Sequence, residues 1–265
     1  MAFHVIAGAT ETLDYPVIRK ITLGDTITAL RRGIDDFWDK PSHYVLLTLI
    51  YPIVGIALAV WSSGNYTWPL LYPLMGGFAL IGPFAAIGLY EISRRRELGL
   101  DTSWSHAFEV LRSPALPSIF AIAVLLLFIF TLWLATAQTL YESLFGSVPP
   151  QTFGELYNQV FNTPQGWTLF WAGNALGLVF ALVTLATTVI AFPLMLDRDC
   201  GAFVAVQTSF RAVVKNPIPM LAWGLIVAIG VALGSLPVFA GLAVVIPVFG
   251  HATWHLYRQV VAPAR

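Results

Sequence analysis

Two histidines four residues apart, His251 and His255, are this sequence's best candidates for chemistry. That spacing puts both imidazoles on one face of a helix, where they could hold a metal or haem iron. His43 is a third candidate ligand, provided the fold brings it to the same end of a bundle. No Asp, Glu or Cys stands beside the pair at matching spacing. Histidines also occur at the aromatic-rich ends of membrane helices, and that plainer reading is preferred here.

Other polar residues are scarce in the apolar stretches. Asn174 lies deep in one of them, and Pro83, Pro193 and Pro247 each fall near the end of another. A proline inside a helix removes a backbone donor and kinks it. These four residues mark either a solute path or helix packing, and packing is favoured for Asn174 because isolated polar groups in lipid usually face other helices. No Asp, Glu, Lys or Arg sits near the centre of an apolar stretch, which lowers the expectation of proton-driven transport. The run Arg94-Arg95-Arg96 is a candidate contact for anionic headgroups, although such runs more often serve only to anchor topology. Gly173-x-x-x-Gly177 and Gly230-x-x-x-Gly234 would let helices approach closely, a motif that is common by chance. No phosphate-cradling loop, zinc signature or nucleophile with its base is present. No catalytic residue or cofactor is therefore expected. An enzyme would need Glu91, His251 and His255 to converge on one cavity. Nucleic acid is not an expected partner, since no basic patch with interleaved aromatics occurs.

The elements that must position these residues belong to a membrane protein. Of 265 residues, 57% are hydrophobic and 11% charged, against about 25% charged in soluble domains. A mean hydropathy of +0.76 leaves more apolar surface than one aqueous core can hide. The single cysteine, Cys200, excludes an intramolecular disulfide. The first 42 residues carry five aspartates and no short apolar core with a cleavage site, so a retained polar segment is expected rather than a signal peptide.

Six stretches reach the roughly 20 apolar residues that a spanning helix needs: Tyr44 to Trp61, Trp68 to Tyr90, Pro117 to Leu140, Trp167 to Leu196, Pro217 to Gly234 and Leu236 to Tyr257. Only Gly234-Ser235-Leu236-Pro237 separates the last two. All 14 lysines and arginines fall in alternate connecting segments: before span one, after spans two and four, and at the C-terminal end. By the positive-inside rule both termini are cytoplasmic. Trp and Tyr residues near the span ends fit interfacial belts.

The three basic segments share a plan. With Pro41, Pro114 and Pro217 aligned, Ile34, Phe37 and Trp38 fall over Ala107, Val110 and Leu111, and over Phe210, Val213 and Val214. Each set has the i, i+3, i+4 spacing of one helix face, which predicts an interfacial helix that hands the chain to a span. In the outer loop, Thr152 and Glu155 form a capping box ahead of Phe153, Leu156, Tyr157, Val160 and Phe161 at helical spacing.

Two stretches carry a family resemblance. One is Arg19-Lys20-Ile21-Thr22-Leu23-Gly24-Asp25 with Ala29-Leu30-Arg31-Arg32-Gly33 and Asp36-Phe37. The other, more specific, runs from Gly76-Gly77-Phe78 through Gly82-Pro83-Phe84 to Tyr90-Glu91-Ile92-Ser93-Arg94-Arg95. Together they resemble a proteobacterial family of predicted integral membrane proteins, domain of unknown function 2189, from about residue 19 onward. The resemblance implies no activity. Some relatives bear the label cytochrome c oxidase subunit I, which implies at most a respiratory complex as partner. Six spans and five histidines are too few for an oxidase core.

The expectation is an all-α polytopic membrane protein, with six transmembrane helices as three hairpins, each preceded by a cytoplasmic amphipathic helix. Residues 1–42 form the cytoplasmic N-terminal segment, 43–258 the membrane domain with its outer loop at 141–166, and 259–265 a cytoplasmic tail. The setting is a bacterial inner membrane. The function expected is non-catalytic: a structural, accessory or assembly protein that binds membrane-protein or lipid partners. The alternative is a channel or carrier for a small uncharged or amphipathic solute.

Overall fold

The computed structural model describes residues 15–39, 53, 56–57, 60–61, 67–71, 73–74, 86–198, 200–237 and 239–263. Among these, the secondary structure is helical and no strand occurs. The helices are α1 (Leu23–Asp39), α2 (Ile87–Glu97), a 3-10 helix (Trp104–Arg112), α3 (Leu116–Phe145), α4 (Phe153–Phe161), α5 (Pro164–Thr188), α6 (Ala191–Asp197), α7 (Gly201–Lys215), α8 (Pro217–Ser235) and α9 (Leu242–Val260). Most of the first expected span and much of the second, with Pro41, His43 and Pro83, lie outside the described residues.

Three described helices are long and apolar enough to cross a membrane: α3, α5 continued by α6, and α8. Little of their surface is covered by protein, as expected where lipid is the solvent. In the most apolar window of α8 only 17% is buried. The expected sixth span corresponds to α9, which starts at Leu242 rather than Leu236 and does not belong to this group. Its second half carries His251, His255 and Arg258, and its hydropathy is lower for that reason. The turn before it holds Phe239 in the left-handed region (φ 64°).

The chain divides into two units. The first comprises Met1–Pro52, Gly82–Val124 and Leu185–Arg265, the second Ile53–Ile81 and Leu125–Thr184. In the first, α9 is the central element, with α1, α2 and α8 packed on it. Small residues permit this. A Cβ on Gly33 of α1 would stand 2.5 Å from the Ala252 backbone nitrogen, and one on Gly230 of α8 would stand 2.4 Å from the Phe249 ring. The second glycine motif of the sequence is therefore a real close approach.

The expected amphipathic faces are only partly the buried ones. In α1, Thr26, Ala29, Gly33, Asp36 and Phe37 turn inward while Trp38 is exposed. In α7 the inward face is mostly small (Gly201, Ala202, Val204, Ala205, Thr208, Ser209, Ala212), and Phe203, Phe210 and Val214 point outward. The segment carrying Ala107, Val110 and Leu111 is a 3-10 rather than an α-helix. Its three residues per turn stack His106 directly below Glu109.

Around that 3-10 helix an exposed ionic network forms. His106 Nδ1 lies 2.6 Å from Glu109 and Nε2 lies 2.9 Å from Asp101, while Arg95 pairs with Glu109 at 2.8 Å. The Glu109 and Asp101 carboxylates raise the His106 pKa above its ordinary value, and His106 lowers both of theirs. A raised histidine contributes stability that is present below about pH 6.5 and lost as pH rises through the folded value. The carboxylates contribute above about pH 4 and lose it in acid. Amide exchange in 104–112, corrected for intrinsic rates, is thus expected to be slowest between about pH 5 and 6.5 and to quicken as pH rises through the raised His106 value. His106→Gln should flatten the alkaline limb.

Candidate functional site

Two arrangements in the described residues bring polar or aromatic side chains together, one in each unit. The first is a clasp between α1, α2 and α9. Asp36 of α1 is buried and receives hydrogen bonds from Ser93 Oγ at 2.9 Å and His255 Nε2 at 2.9 Å. Arg96 pairs with its second oxygen at 3.0 Å. His251, fully buried, has Nδ1 2.7 Å from Ser93 Oγ. The single hydroxyl proton of Ser93 must go to the carboxylate, which can only accept, so His251 donates from Nδ1. Burial works against charge on Asp36, but the hydrogen bond and charge of His255, with His251 and Ser93, hold its carboxyl below the usual range.

This order, carboxylate to serine to imidazole, is not that of a nucleophile activated by its base, in which histidine stands between the other two. His251 and His255 do share a face, as their spacing predicts, but they serve to hold α1. Among the described residues no three His, Cys, Asp or Glu side chains form a group that could hold a metal. Glu91 lines a different cavity of about 420 Å³, together with Asp197 and Arg198, and neither histidine lines it. Its carboxylate is held bidentately by Arg94 at 2.8 and 2.9 Å.

The arginine run is engaged internally at every position: Arg94 with Glu91, Arg95 with Glu109, and Arg96 with Asp36 and Asp39. Pro193 is buried in α6, beyond the break at Val189–Ile190, where Ser209 Oγ accepts from the Ile190 amide at 3.2 Å. Pro247 is buried inside α9.

Sequence reasoning missed Asn216. Its side chain accepts from the Ile21 amide at 2.9 Å and donates to the Arg19 carbonyl at 3.0 Å. Lys215 donates to the Ile18 carbonyl at 2.7 Å, and an antiparallel bridge pairs Ile18 with Val261. A buried asparagine between a lysine and a helix-starting proline was the available signal.

The second arrangement is an aromatic cavity of about 440 Å³ in the second unit, within the range of small-molecule sites. Its walls come from Trp68, from α3 (Trp133, Tyr141), from α4 and from α5. Helix α4 begins at the Thr152 cap expected from sequence: Thr152 Oγ1 accepts from the Glu155 amide at 3.1 Å, while Glu155 accepts from the Gln151 amide. Tyr141 fastens α4 by donating to Gln159 at 2.8 Å. Asn174 lines the cavity and donates to the Phe170 carbonyl one turn back at 2.8 Å. Of the first glycine motif, a Cβ on Gly177 would stand 3.4 Å from the Trp133 ring, whereas one on Gly173 would meet no atom within 4 Å.

The turn from α4 into α5 sets the outer wall. Thr163 Oγ1 caps α5 by accepting from the Gly166 amide, and Pro164 opens the helix. A Cβ on Gly166 would stand 2.0 Å from the Gln159 carbonyl oxygen. Gly166→Ala is therefore expected to cost about 1–3 kcal/mol and to push α4 away from α5. Thermal unfolding in detergent and proteolysis at 146–163 would both report it.

No curated protein and no solved structure matches the chain. Residues 70–197 match the model of one family. That segment contains the Gly76–Arg95 stretch and lies after the Arg19–Phe37 stretch that also carried the resemblance. The matched segment, which holds the apolar helices α3 and α5, is similar to the family described as Predicted integral membrane protein (DUF2189), whose function is unknown, and the chain is an integral membrane protein.

Proposed function

We propose that this chain is a non-catalytic accessory or assembly protein of a bacterial inner membrane, which holds membrane-protein or lipid partners. It would cross the bilayer six times as three hairpins with both termini in the cytoplasm, as the distribution of lysine and arginine argues. Residues 43–258 would form its membrane domain.

The observation that carries the reading is the apolar surface left uncovered. Helices α3, α5 and α8 turn Phe120, Phe128, Trp171, Leu178, Leu225 and Leu233 outward, each at least 50% exposed. Outside the candidate spans, α7 adds the stripe of Phe203, Phe210 and Val214, with Arg211 beside it. An apolar stripe flanked by a basic residue suits a helix that lies in the headgroup zone. Patches of this extent mark surfaces meant for lipid or another protein. The aromatic walls beside Asn174 are compatible with the alternative, a channel or carrier for a small uncharged or amphipathic solute.

The test is purification of tagged protein from native membranes in mild detergent, with quantitative mass spectrometry of what accompanies it and absorbance for haem. A membrane protein recovered in fixed stoichiometry, retained after re-purification through its own tag, is the expected result. A partner-free, colourless protein stripped of lipid would sink the accessory reading and turn effort to solute flux. Topology is checked separately: a membrane-impermeant maleimide should label a cysteine placed at Ser147 in spheroplasts but leave Cys200 unlabelled until the membrane is opened.

A further inference from the structure

The cavity of about 420 Å³ in the first unit is lined by three arginines, and each has hydrogen-bond donors to spare. Arg94 spends Nε and Nη2 on Glu91, which leaves Nη1 without an acceptor among the described residues. Arg198 gives Nη2 to the Ala262 carbonyl, and its Nη1 has no acceptor among them either. Arg112 is exposed and makes no hydrogen bond or ion pair among the described residues. The three carboxylates of the same lining are already committed. Glu91 holds Arg94, and Glu109 holds Arg95 and His106. Asp197, 3.6 Å from Arg198 Nε, accepts from Tyr257 at 2.5 Å and from Arg258 at 3.2 Å. Spare donors on planar guanidinium forks are the chemistry that holds phosphate oxygens.

The walls fix the depth of the cavity. The candidate span α3 starts at Leu116, next to the lining residue Ala115, and the span made by α5 and α6 ends in the lining at Asp197. Two apolar helices thus end at one place, which is headgroup level, and the arginines mark that level as the cytoplasmic one. Beyond Ala115, Leu116 and Phe120 are 36% and 66% exposed, an apolar track along α3 for a hydrocarbon chain.

We propose that this cavity binds a phosphate ester, the phosphodiester of an anionic phospholipid, with Arg94, Arg112 and Arg198 as donors and an acyl chain on α3. The assignment deepens the lipid-binding part of the proposed function and rests on that reading. The anionic class follows from the lining: the ammonium of a zwitterionic headgroup would meet guanidinium groups and carboxylates that other partners already hold. A soluble phosphate ester presents the same oxygens but leaves the apolar track bare. The run Arg94-Arg95-Arg96 contributes only its first member, and the other two arginines are isolated in the sequence.

The test is native mass spectrometry of the full chain, delipidated in a non-ionic detergent and titrated with phosphatidylglycerol or phosphatidylcholine of the same acyl chains. One phosphatidylglycerol should be retained per chain, with a Kd about tenfold below that of phosphatidylcholine. Arg112→Gln should raise the phosphatidylglycerol Kd about threefold to tenfold, since one exposed charge-assisted contact of three is lost. Arg112→Lys should recover part of the loss. Arg112 holds no other residue in place, so circular dichroism and elution volume in detergent should not change. Arg31→Gln, which removes an exposed charge of α1 outside the cavity, should leave the affinity as it was. Equal affinity for the two lipids, or equal losses from Arg31→Gln and Arg112→Gln, would mean general surface charge and would overturn the site. Inorganic phosphate or glycerol 3-phosphate bound as tightly as phosphatidylglycerol would overturn the lipid assignment in favour of a soluble ligand. Neither result depends on whether a protein partner co-purifies, so failure here is separable from failure of the accessory reading.

Discussion

Asp36→Ala is expected to release α1 from α2 and α9 and to cost about 3 kcal/mol or more. The carboxylate is the common acceptor for Ser93, His255 and Arg96, and Ser93 links it onward to His251. Its removal leaves a buried hydroxyl and two imidazole donors to rearrange, and removing one partner of a buried charged group typically costs 3–5 kcal/mol. Arg96 is partly exposed and can turn to solvent, which keeps the expected figure near the lower end. Asp36→Asn should fall between, since an amide keeps the shape but loses one acceptor. Unfolding in mixed dodecyl maltoside and SDS micelles, followed by tryptophan fluorescence, reads the loss directly. Protease sensitivity confined to 15–39 would show that α1 has come away. Acid should act in the same direction. The carboxyl is held below its ordinary range, so its contribution is present above about pH 4 and is lost as pH falls through the lowered value. An Asp36→Ala protein that unfolds at the unmodified SDS fraction would refute the clasp.

Gly33→Leu attacks the same docking from the steric side. An added Cβ would stand 2.5 Å from both the nitrogen and the Cβ of Ala252, so the crossing of α1 over α9 must open. Neither contact is the far end of a flexible side chain, and backbone in the middle of α9 cannot step aside. Overpacking costs about 1–3 kcal/mol where a core can adjust; here the adjustment also withdraws Ala29 and Phe37 from burial. The expected effect therefore reaches at least the top of that range. Ala252→Gly in the same chain removes the clash with Cβ but not those with the nitrogen and Cα, and should restore stability only in part. Full rescue would show that side-chain bulk alone was at fault, and no loss from Gly33→Leu would show that α1 does not pack there.

Particular residues explain what the sequence made legible. Long apolar runs announced α3, α5 and α8, because a helix in lipid needs only length and low charge to be recognised. Thr152 and Gly230 were legible for a similar reason: a cap and a small-residue contact act within a few positions of themselves. Asp36 was not, since its partners lie 57 to 219 positions away and a lone aspartate on an amphipathic helix reads as solvated. The inward face of α7 was missed because it is built mostly of small residues, with Val204 as its one large aliphatic, whereas its phenylalanines face outward. The histidine spacing correctly gave a shared face but not its purpose. The cavity eluded any one-dimensional reading, because Trp68, Tyr141 and Phe170 come together only when α3, α4 and α5 fold against one another.

The bridge between Ile18 and Val261 also constrains topology by parity. Two backbone segments that exchange hydrogen bonds occupy one side of a bilayer, so the chain between them must traverse that bilayer an even number of times. Three traverses, one for each apolar helix identified among the described residues, would leave residues 18 and 261 on opposite faces. An even number is what the proposed six crossings supply, with residues 18 and 261 on one face.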